Sequence, residues 1–392
     1  MTKQKILVLD SNERSSLAVI RSLGKISEIK LFTADSLLKS IGGSSKYSDE
    51  YYQYPSISDN PNEFLDWIGL KLKEEKFDLI FPCTEISSQL LLMSPKVVNP
   101  KYLPFATLET VMSLADKGKL THFADSINIP CPKSEHYQSA SQVDINKIKK
   151  FPVVIKPNLS KIWQGNSWTN TVVLIAKNKD QLSHILKQTP WLQGSPFMLQ
   201  EFIEGYGAGL FALYDKGGAT AFYAHKRLRE KPPQGGVSVL SCSAPLEPNI
   251  LKNAKKLLDS VKWHGVAMVE FRVAEDGTPY LMEVNTRFWG SLQLAIDSGV
   301  NFPELLYKIT IGEKVSLIDK YNENNRLRWF LGDLDSLYLV LRSSDYSIKQ
   351  KLKRLIGFFI PHFLTTRHQV GRWNDWKPAV EELRQYLRNL RR

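Results

Sequence analysis

The chain has 392 residues, 43% of them hydrophobic, with 52 Lys and Arg against 40 Asp and Glu, a formal charge of +12. This length and composition describe a globular protein of two or three domains or subdomains and exclude a disordered or fibrous one. No stretch approaches the roughly 18 apolar residues of a transmembrane helix. Three cysteines (Cys83, Cys131, Cys242) lack a Cys-x-x-Cys spacing and the seven histidines lack ligand spacing, which excludes a disulfide framework and a structural zinc site and leads us to expect a cytoplasmic setting.

Residues 5–9 form an apolar run, too short for a signal peptide, that predicts a first strand. A helix over 11–23 and a strand over 28–33 follow, and this alternation predicts a parallel sheet. The turn Asp10-Ser11-Asn12-Glu13-Arg14 lacks a Gly-x-Gly-x-x-Gly fingerprint, which argues against dinucleotide binding there. After a Gly/Ser-rich loop at 42–45 we expect a helix over 61–74 and a strand over 77–81. Ligands of open α/β sheets lie beyond the carboxyl ends of strands, so Glu85 is a candidate substrate contact, its alternative being a helix-capping or solvated acid.

Next come Leu-Ala-Asp-Lys-Gly-Lys at 114–119, a helical stretch to 127 and Ile-Pro-Cys-Pro at 129–132. Residues 151–157 read as a buried strand carrying Lys156 at its end, where an ammonium must find an anion or snorkel to water. The loop 158–170 holds a single glycine, Gly165, between Trp163 and Trp168. Phe-Met-Leu-Gln-Glu-Phe-Ile-Glu-Gly at 197–205 leads into a strand over 220–229 that puts Tyr223, His225, Arg227 and Arg229 on one face. Cations at alternate positions call for anions, unless this is a solvated edge strand. Residues 230–236 read as a ligand-covering loop.

Two runs of alternating hydrophobicity then flank Asp276-Gly277, a strong hairpin signal. With those two as the turn, Glu270 faces Glu283 and Met268 faces Asn285, while Leu281, Glu283 and Asn285 share a face. Paired carboxylates roughly 5 Å apart repel. A hard divalent cation such as Mg²⁺ compensates and leaves room for phosphate oxygens; the alternative is a solvated face whose acids pair with Arg272 and Arg287. Gly290-Ser291 opens a helical stretch over 292–296 with Ser291 as N-cap, where an anion would rest beside Arg287.

Val-Glu-Phe at 269–271 and Leu-Met-Glu-Val-Asn-Thr-Arg at 281–287 resemble the metal-binding hairpin of the ATP-grasp superfamily, which includes biotin carboxylase, the large subunit of carbamoyl-phosphate synthase and many carboxylate–amine ligases. Six motifs in family order carry the resemblance, over residues 1 to about 315. It implies Mg²⁺ or Mn²⁺ at Glu270, Glu283 and Asn285, contact of Arg287 with the transferred phosphate, and phosphate binding by Lys117 and Lys156. It implies adenine contact through the segment Gln200, Glu201 and Ile203. Arg227 matches the basic residue that meets a carboxylate-type substrate; His225, Arg229, Trp289 and Ser291 join Glu85 as further candidate substrate contacts. Three positions depart from the family: Thr286 stands where Pro is more usual, loop 158–170 is glycine-poor, and Tyr206-Gly207-Ala208-Gly209 lacks a ribose-holding Glu.

The fold class expected is therefore α/β (α+β): an N-terminal Rossmann-like parallel domain (1–105), an ATP-grasp lid with linker helix (106–203), an ATP-grasp core (204–320) and a basic, helical extension (321–392). The extension holds 14 Lys and Arg against 7 Asp and Glu, a balance that suits an anionic partner. No nucleic-acid-binding motif supports it. Its segment 349–364 either packs on its own domain, which we favour, or lies on a membrane surface. The expected activity is an ATP-dependent, ADP-forming ligase for a small-molecule carboxylate and amine, with a homodimer as a further expectation. The rivals are bicarbonate activation and a nucleotide-binding module without catalysis.

Overall fold

The structure, a computed structural model, describes residues 3–165, 167–359 and 366–391. Its first unit runs β1 (Gln4–Val8), α1 (Arg14–Leu23), β2 (Ile29–Asp35), β3 (Glu50–Gln53), α2 (Pro61–Glu75), β4 (Leu79–Phe81) and α3 (Glu85–Met93). The strands pair in parallel in the order β3-β2-β1-β4. Ile6 to Leu9 are wholly buried, as expected of a central strand covered on both faces. The helix predicted from residue 11 starts at Arg14, because Asp10 turns into the left-handed region (φ 55°). There its carboxylate accepts from the Cys83 and Thr84 amides, both at 2.9 Å. This joins the ends of β1 and β4 and brings together the N-termini of α1 and α3, which begin at Arg14 and Glu85.

Two short helices follow, α4 (Leu108–Ala115) and α5 (Lys117–Ser126). They lead into an antiparallel sheet of β5 (Ser134–Tyr137), β6 (Val153–Pro157), β9 (Leu174–Ala176) and β10 (Phe197–Glu201), in the order β5-β10-β6-β9. A ribbon of β7 (Lys161–Trp163) and β8 (Trp168–Asn170) projects from it, and α6 (Lys179–Gln188) covers one face. Ile155, Phe197 and Leu199 meet Leu182 and Leu186 of α6 in a core of their own.

The remainder builds one seven-stranded sheet from β11 (Tyr206–Asp215), β12 (Gly218–Lys231), β13 (Val237–Ala244), β14 (Gly265–Val273), β15 (Pro279–Asn285), β16 (Arg326–Arg328) and β17 (Thr366–His368). Its order is β15-β14-β11-β12-β13-β16-β17. Along β11, Leu210, Ala212 and Tyr214 enter one core, shared with α7 (Pro248–Ser260). Phe211 and Leu213 enter the other, shared with α1, α8 (Leu292–Asp297) and α9 (Phe302–Thr310). Both faces of this sheet are thus buried, and both cores take in side chains of the first unit.

The extension is more than helical. Besides α10 (Phe330–Arg342), α11 (Ile348–Phe359) and α12 (Lys377–Leu390), it contributes β16 and β17 to the edge of the large sheet. Asp333, 0% exposed, accepts from Arg229, Arg328 and Arg354 and ties α10 to β12 and α11. Of the segment 349–364, residues 360–364 lie outside the described residues.

Candidate functional site

The hairpin β14–β15 pairs Glu270 with Glu283 and Met268 with Asn285 as expected. Two local departures cancel to give that register. The turn is one residue longer: Ala274 N–H donates to Thr278 C=O, Gly277 N–H donates to Ala274 C=O, and Gly277 takes φ 84°, the glycine conformation of a three-residue hairpin loop. A bulge then falls between the Phe271–Leu281 and Glu270–Glu283 pairs, leaving Met282 unpaired. Leu281 consequently faces the core opposite Phe271 and does not share a face with Glu283, which corrects the regular-strand expectation. The freed Met282 carbonyl accepts from Lys156 Nζ at 2.7 Å.

Around the hairpin the charges interlock. Asn285 Nδ2 lies 3.1 Å from Glu270 Oε1 and 3.3 Å from Glu283 Oε1. Arg227 donates to Glu270 at 2.7 Å, and Lys117 Nζ stands 3.0 Å from Ser160 Oγ and 3.5 Å from Glu283. Burial pushes the Glu270 carboxyl up, against the pull of Arg227. Burial acts the same way on Glu283, yet Lys117 and Lys156, with Asn285 and Arg287, outweigh it and hold that carboxyl below the ordinary value. Lys156 is 4% exposed, and burial draws its ammonium down to about 8. Among the described residues no three His, Cys, Asp or Glu side chains gather. A two-carboxylate-plus-amide set nonetheless fits a hard cation, since the Asn285 nitrogen stands between both acids and a half-turn of the amide puts its oxygen there.

The other expected residues divide. Glu85 opens α3 and lines a narrow recess with Lys117, Ser160, Glu283 and Arg287. Gln200 is buried with Oε1 unpartnered. Ile203 accepts from Arg272 at 3.2 Å, while its own N–H has no partner among the described residues. Glu201 N–H is taken by Lys133 C=O. His225, whose imidazole burial draws down to about 3, stands 3.3 Å from Ser291 Oγ. Ser291 holds the N-cap position of α8, but its side chain makes no cap bond. Arg229 leaves the group: irregular pairing between β12 and β13 turns it away, to Asp333 and the Gly357 carbonyl. Beside it opens a hollow of about 380 Å³ that holds none of the paired acids.

The paired acids instead line a cleft of about 280 Å³ together with Arg14, His225, Arg287 and Trp289. Sequence reasoning missed Arg14, although the rule that selected Glu85 applies equally to the turn after β1. It also missed Ser160 and Gln369, for which no local signal exists.

Residues 193–331 match the family described as ATP-grasp in the biosynthetic pathway with Ter operon. The structure is similar to L-amino acid ligase from Bacillus licheniformis, with a TM-score of 0.63 and 16% identity over 80% of this chain and 76% of that one. It is similar also to N5-carboxyaminoimidazole synthetase from Staphylococcus aureus complexed with ADP, with a TM-score of 0.65 and 13% identity over 88% and 87%. A third likeness is to biotin carboxylase from Campylobacter jejuni, with a TM-score of 0.63 and 15% identity over 82% and 74%. No curated protein sequence matches. The chain is a protein of ATP-grasp fold. No helix among the described residues is long and apolar enough to cross a membrane.

Proposed function

We propose that the protein is an ATP- and Mg²⁺-dependent ligase that activates a carboxylate as an acyl phosphate, joins it to an amine or similar nucleophile, and releases ADP and phosphate. The observation that carries this reading is the convergence of Glu270, Glu283 and Asn285 on one point, flanked by Lys117 and Lys156 on one side and by Arg227 on the other, with Arg287 lining both recesses. The domain division given above belongs to the proposal, as does a cytoplasmic setting, where ATP is supplied. A homodimer is proposed too, since the similar 2-oxoglutarate carboxylase domain is described as a dimer; light scattering tests it.

In this reading Glu270, Glu283 and Asn285 hold Mg²⁺, which neutralises phosphate charge when bound. Lys117 and Lys156 align the phosphate tail, and the segment 200–203 takes the adenine, with the free Ile203 N–H as a donor. Arg287 lies between the phosphate side and the cleft and stabilises charge as the carboxylate oxygen attacks the terminal phosphate. The amine then attacks the acyl carbon and phosphate leaves with that oxygen. No side-chain nucleophile takes part.

Carboxylate labelled with ¹⁸O should therefore yield labelled inorganic phosphate in the presence of ATP and amine. AMP and pyrophosphate as products would overturn the acyl-phosphate step, and the absence of any nucleotide turnover across a panel of carboxylate–amine pairs would favour the non-catalytic module. The glycine-poor loop 158–170 is the feature that keeps that second reading open.

A peripheral membrane contact is supported by α11, where Ile348, Leu352, Ile356 and Phe359 form an exposed apolar stripe beside exposed Lys349 and Lys353. Sedimentation with anionic but not neutral vesicles is expected; equal partition to both would remove it.

A further inference from the structure

The two recesses around the hairpin share Glu283, Asn285 and Arg287 and differ in everything else. Lys117 and Ser160 belong only to the recess proposed for phosphate. Arg14 belongs only to the opposite lobe, with His225, Trp289 and Ser291. A substrate carboxylate activated beside Arg287 therefore extends its remaining atoms toward Arg14.

Arg14 is held there with care. Its guanidinium lies over the Trp329 ring at 3.7 Å, and Nη1 donates to Gln369 Oε1 at 3.0 Å. Gln369, buried, in turn donates to the Gly290 carbonyl, and Trp329 Nε1 donates to Glu382 at 2.7 Å. A Cβ at residue 290 would stand 3.4 Å from Arg14 Nη2, so the glycine leaves room for the guanidinium. Among the described residues Arg14 Nη2 and Nε make no hydrogen bond and no carboxylate pairs with the group, whereas Arg227 in the same cleft is bound to Glu270 and Glu230. Apart from that paired Arg227 and Glu270, the lining of the lobe around Arg14 is uncharged. His225 is uncharged, and Trp289, 2% exposed, keeps an indole N–H without an acceptor. A stacked guanidinium with two parallel donors free is the geometry that takes a carboxylate through both oxygens.

We propose that Arg14 selects the substrate by binding a second carboxylate, so that the acid taken by this site is a small dicarboxylate. This rests on the reading that the cleft holds the acid to be activated. A volume of about 280 Å³ suits an acid of a few carbons, being below the range of drug-sized sites. Trp329, Gln369 and Glu382 are positioning residues, which gives the extension a part in substrate choice.

The test is calorimetry of the full chain with Mg²⁺ and a non-hydrolysable ATP analogue, comparing succinate, glutarate and adipate with the monocarboxylates of equal length. At least one dicarboxylate should bind ten-fold or more tightly than its monocarboxylate, and Arg14→Met should erase that preference while the analogue binds as before. Arg14→Lys should restore part of it. Gln369→Leu, which keeps the charge but releases the guanidinium, should weaken it several-fold, and this covers the case in which Arg14→Met does not fold. Equal affinity for mono- and dicarboxylates, or a preference that survives Arg14→Met, overturns the proposal. Should the nucleotide analogue fail to bind, the ligase reading falls, and the same comparison on nucleotide-free protein still decides the role of Arg14.

Discussion

Glu283 and Glu270 show how placement separates two like side chains. Both are half-buried, but Lys117 and Lys156 pull Glu283 below the ordinary carboxyl value, while desolvation leaves Glu270 above it. Glu283→Gln removes one of the charges proposed to hold the cation and eases the repulsion across the hairpin. We expect Mg²⁺-dependent ATP turnover to fall by about two orders of magnitude, a loss of the size seen when one group that meets developing charge is removed, with an unchanged fold by circular dichroism. Turnover near the wild-type level would falsify the metal assignment. Lys156 makes a second prediction. Its ammonium, with a pKa of about 8 against an ordinary 10.5, is already protonated below pH 8. Above that it must regain a proton when phosphate arrives, so ATP binding at pH 8.5 should take up protons and binding at pH 6.5 should not, as read by calorimetry in buffers of different ionisation enthalpy. Adenosine should cause no uptake at either pH, and Lys156→Met should abolish that seen with ATP. In the free protein the depressed value means that charged Lys156 costs stability below pH 8, a cost relieved as pH rises from 8 toward 10.5.

Within the hairpin, the Met282 bulge leaves the pairing of the acids intact, since without the extra residue Glu283 would still follow Leu281 and still face Glu270. What the bulge adds is an unpaired carbonyl, and Lys156 uses it. Deleting Met282 should therefore preserve the fold yet release Lys156 from its place, weakening Mg²⁺-ATP binding roughly ten-fold, the worth of one net hydrogen bond to a charged group. Unchanged affinity, by titration of a fluorescent ATP analogue, would show that Lys156 is held by its strand alone. The period-2 alternation of β14 was legible because one face of that strand is wholly apolar while the other carries Glu270 and Arg272. The bulge was not, because the residues at 281–283 carry no turn or glycine signal, and only the long-range pairing with β14 exposes the extra residue.

Across the whole molecule, buried ion pairs hold the extension onto the rest. Asp333, 0% exposed, serves three arginines from β12, β16 and α11. Arg21 of α1 reaches Asp375 and the carbonyls of Gln369 and Val370. Removing one member strands the others away from water. Asp333→Asn should cost about 3 kcal/mol, read from urea unfolding, while Asp345→Asn, on an exposed position of the same region, should cost nothing measurable. Equal effects of the two substitutions would mean that the cluster adds no stability. The same anchoring brings Trp329 and Gln369 against Arg14, across more than 300 residues of sequence.

The sequence by itself determined whatever depends on local period and motif order: the parallel β-α-β start, the antiparallel hairpin with Glu270 facing Glu283, the lysine ending β6, and the ATP-grasp resemblance these carry. Such features survive reading in one dimension because a strand's faces alternate and a buried charge at its end needs a partner wherever the rest of the chain lies. The tertiary structure decided which cations those acids meet, that Arg229 turns away to Asp333, and that Arg14 and Gln369 enter the cleft. Each of these is a contact between segments far apart in sequence, fixed by how three sheets and their covering helices pack, and no local pattern of residues encodes that meeting.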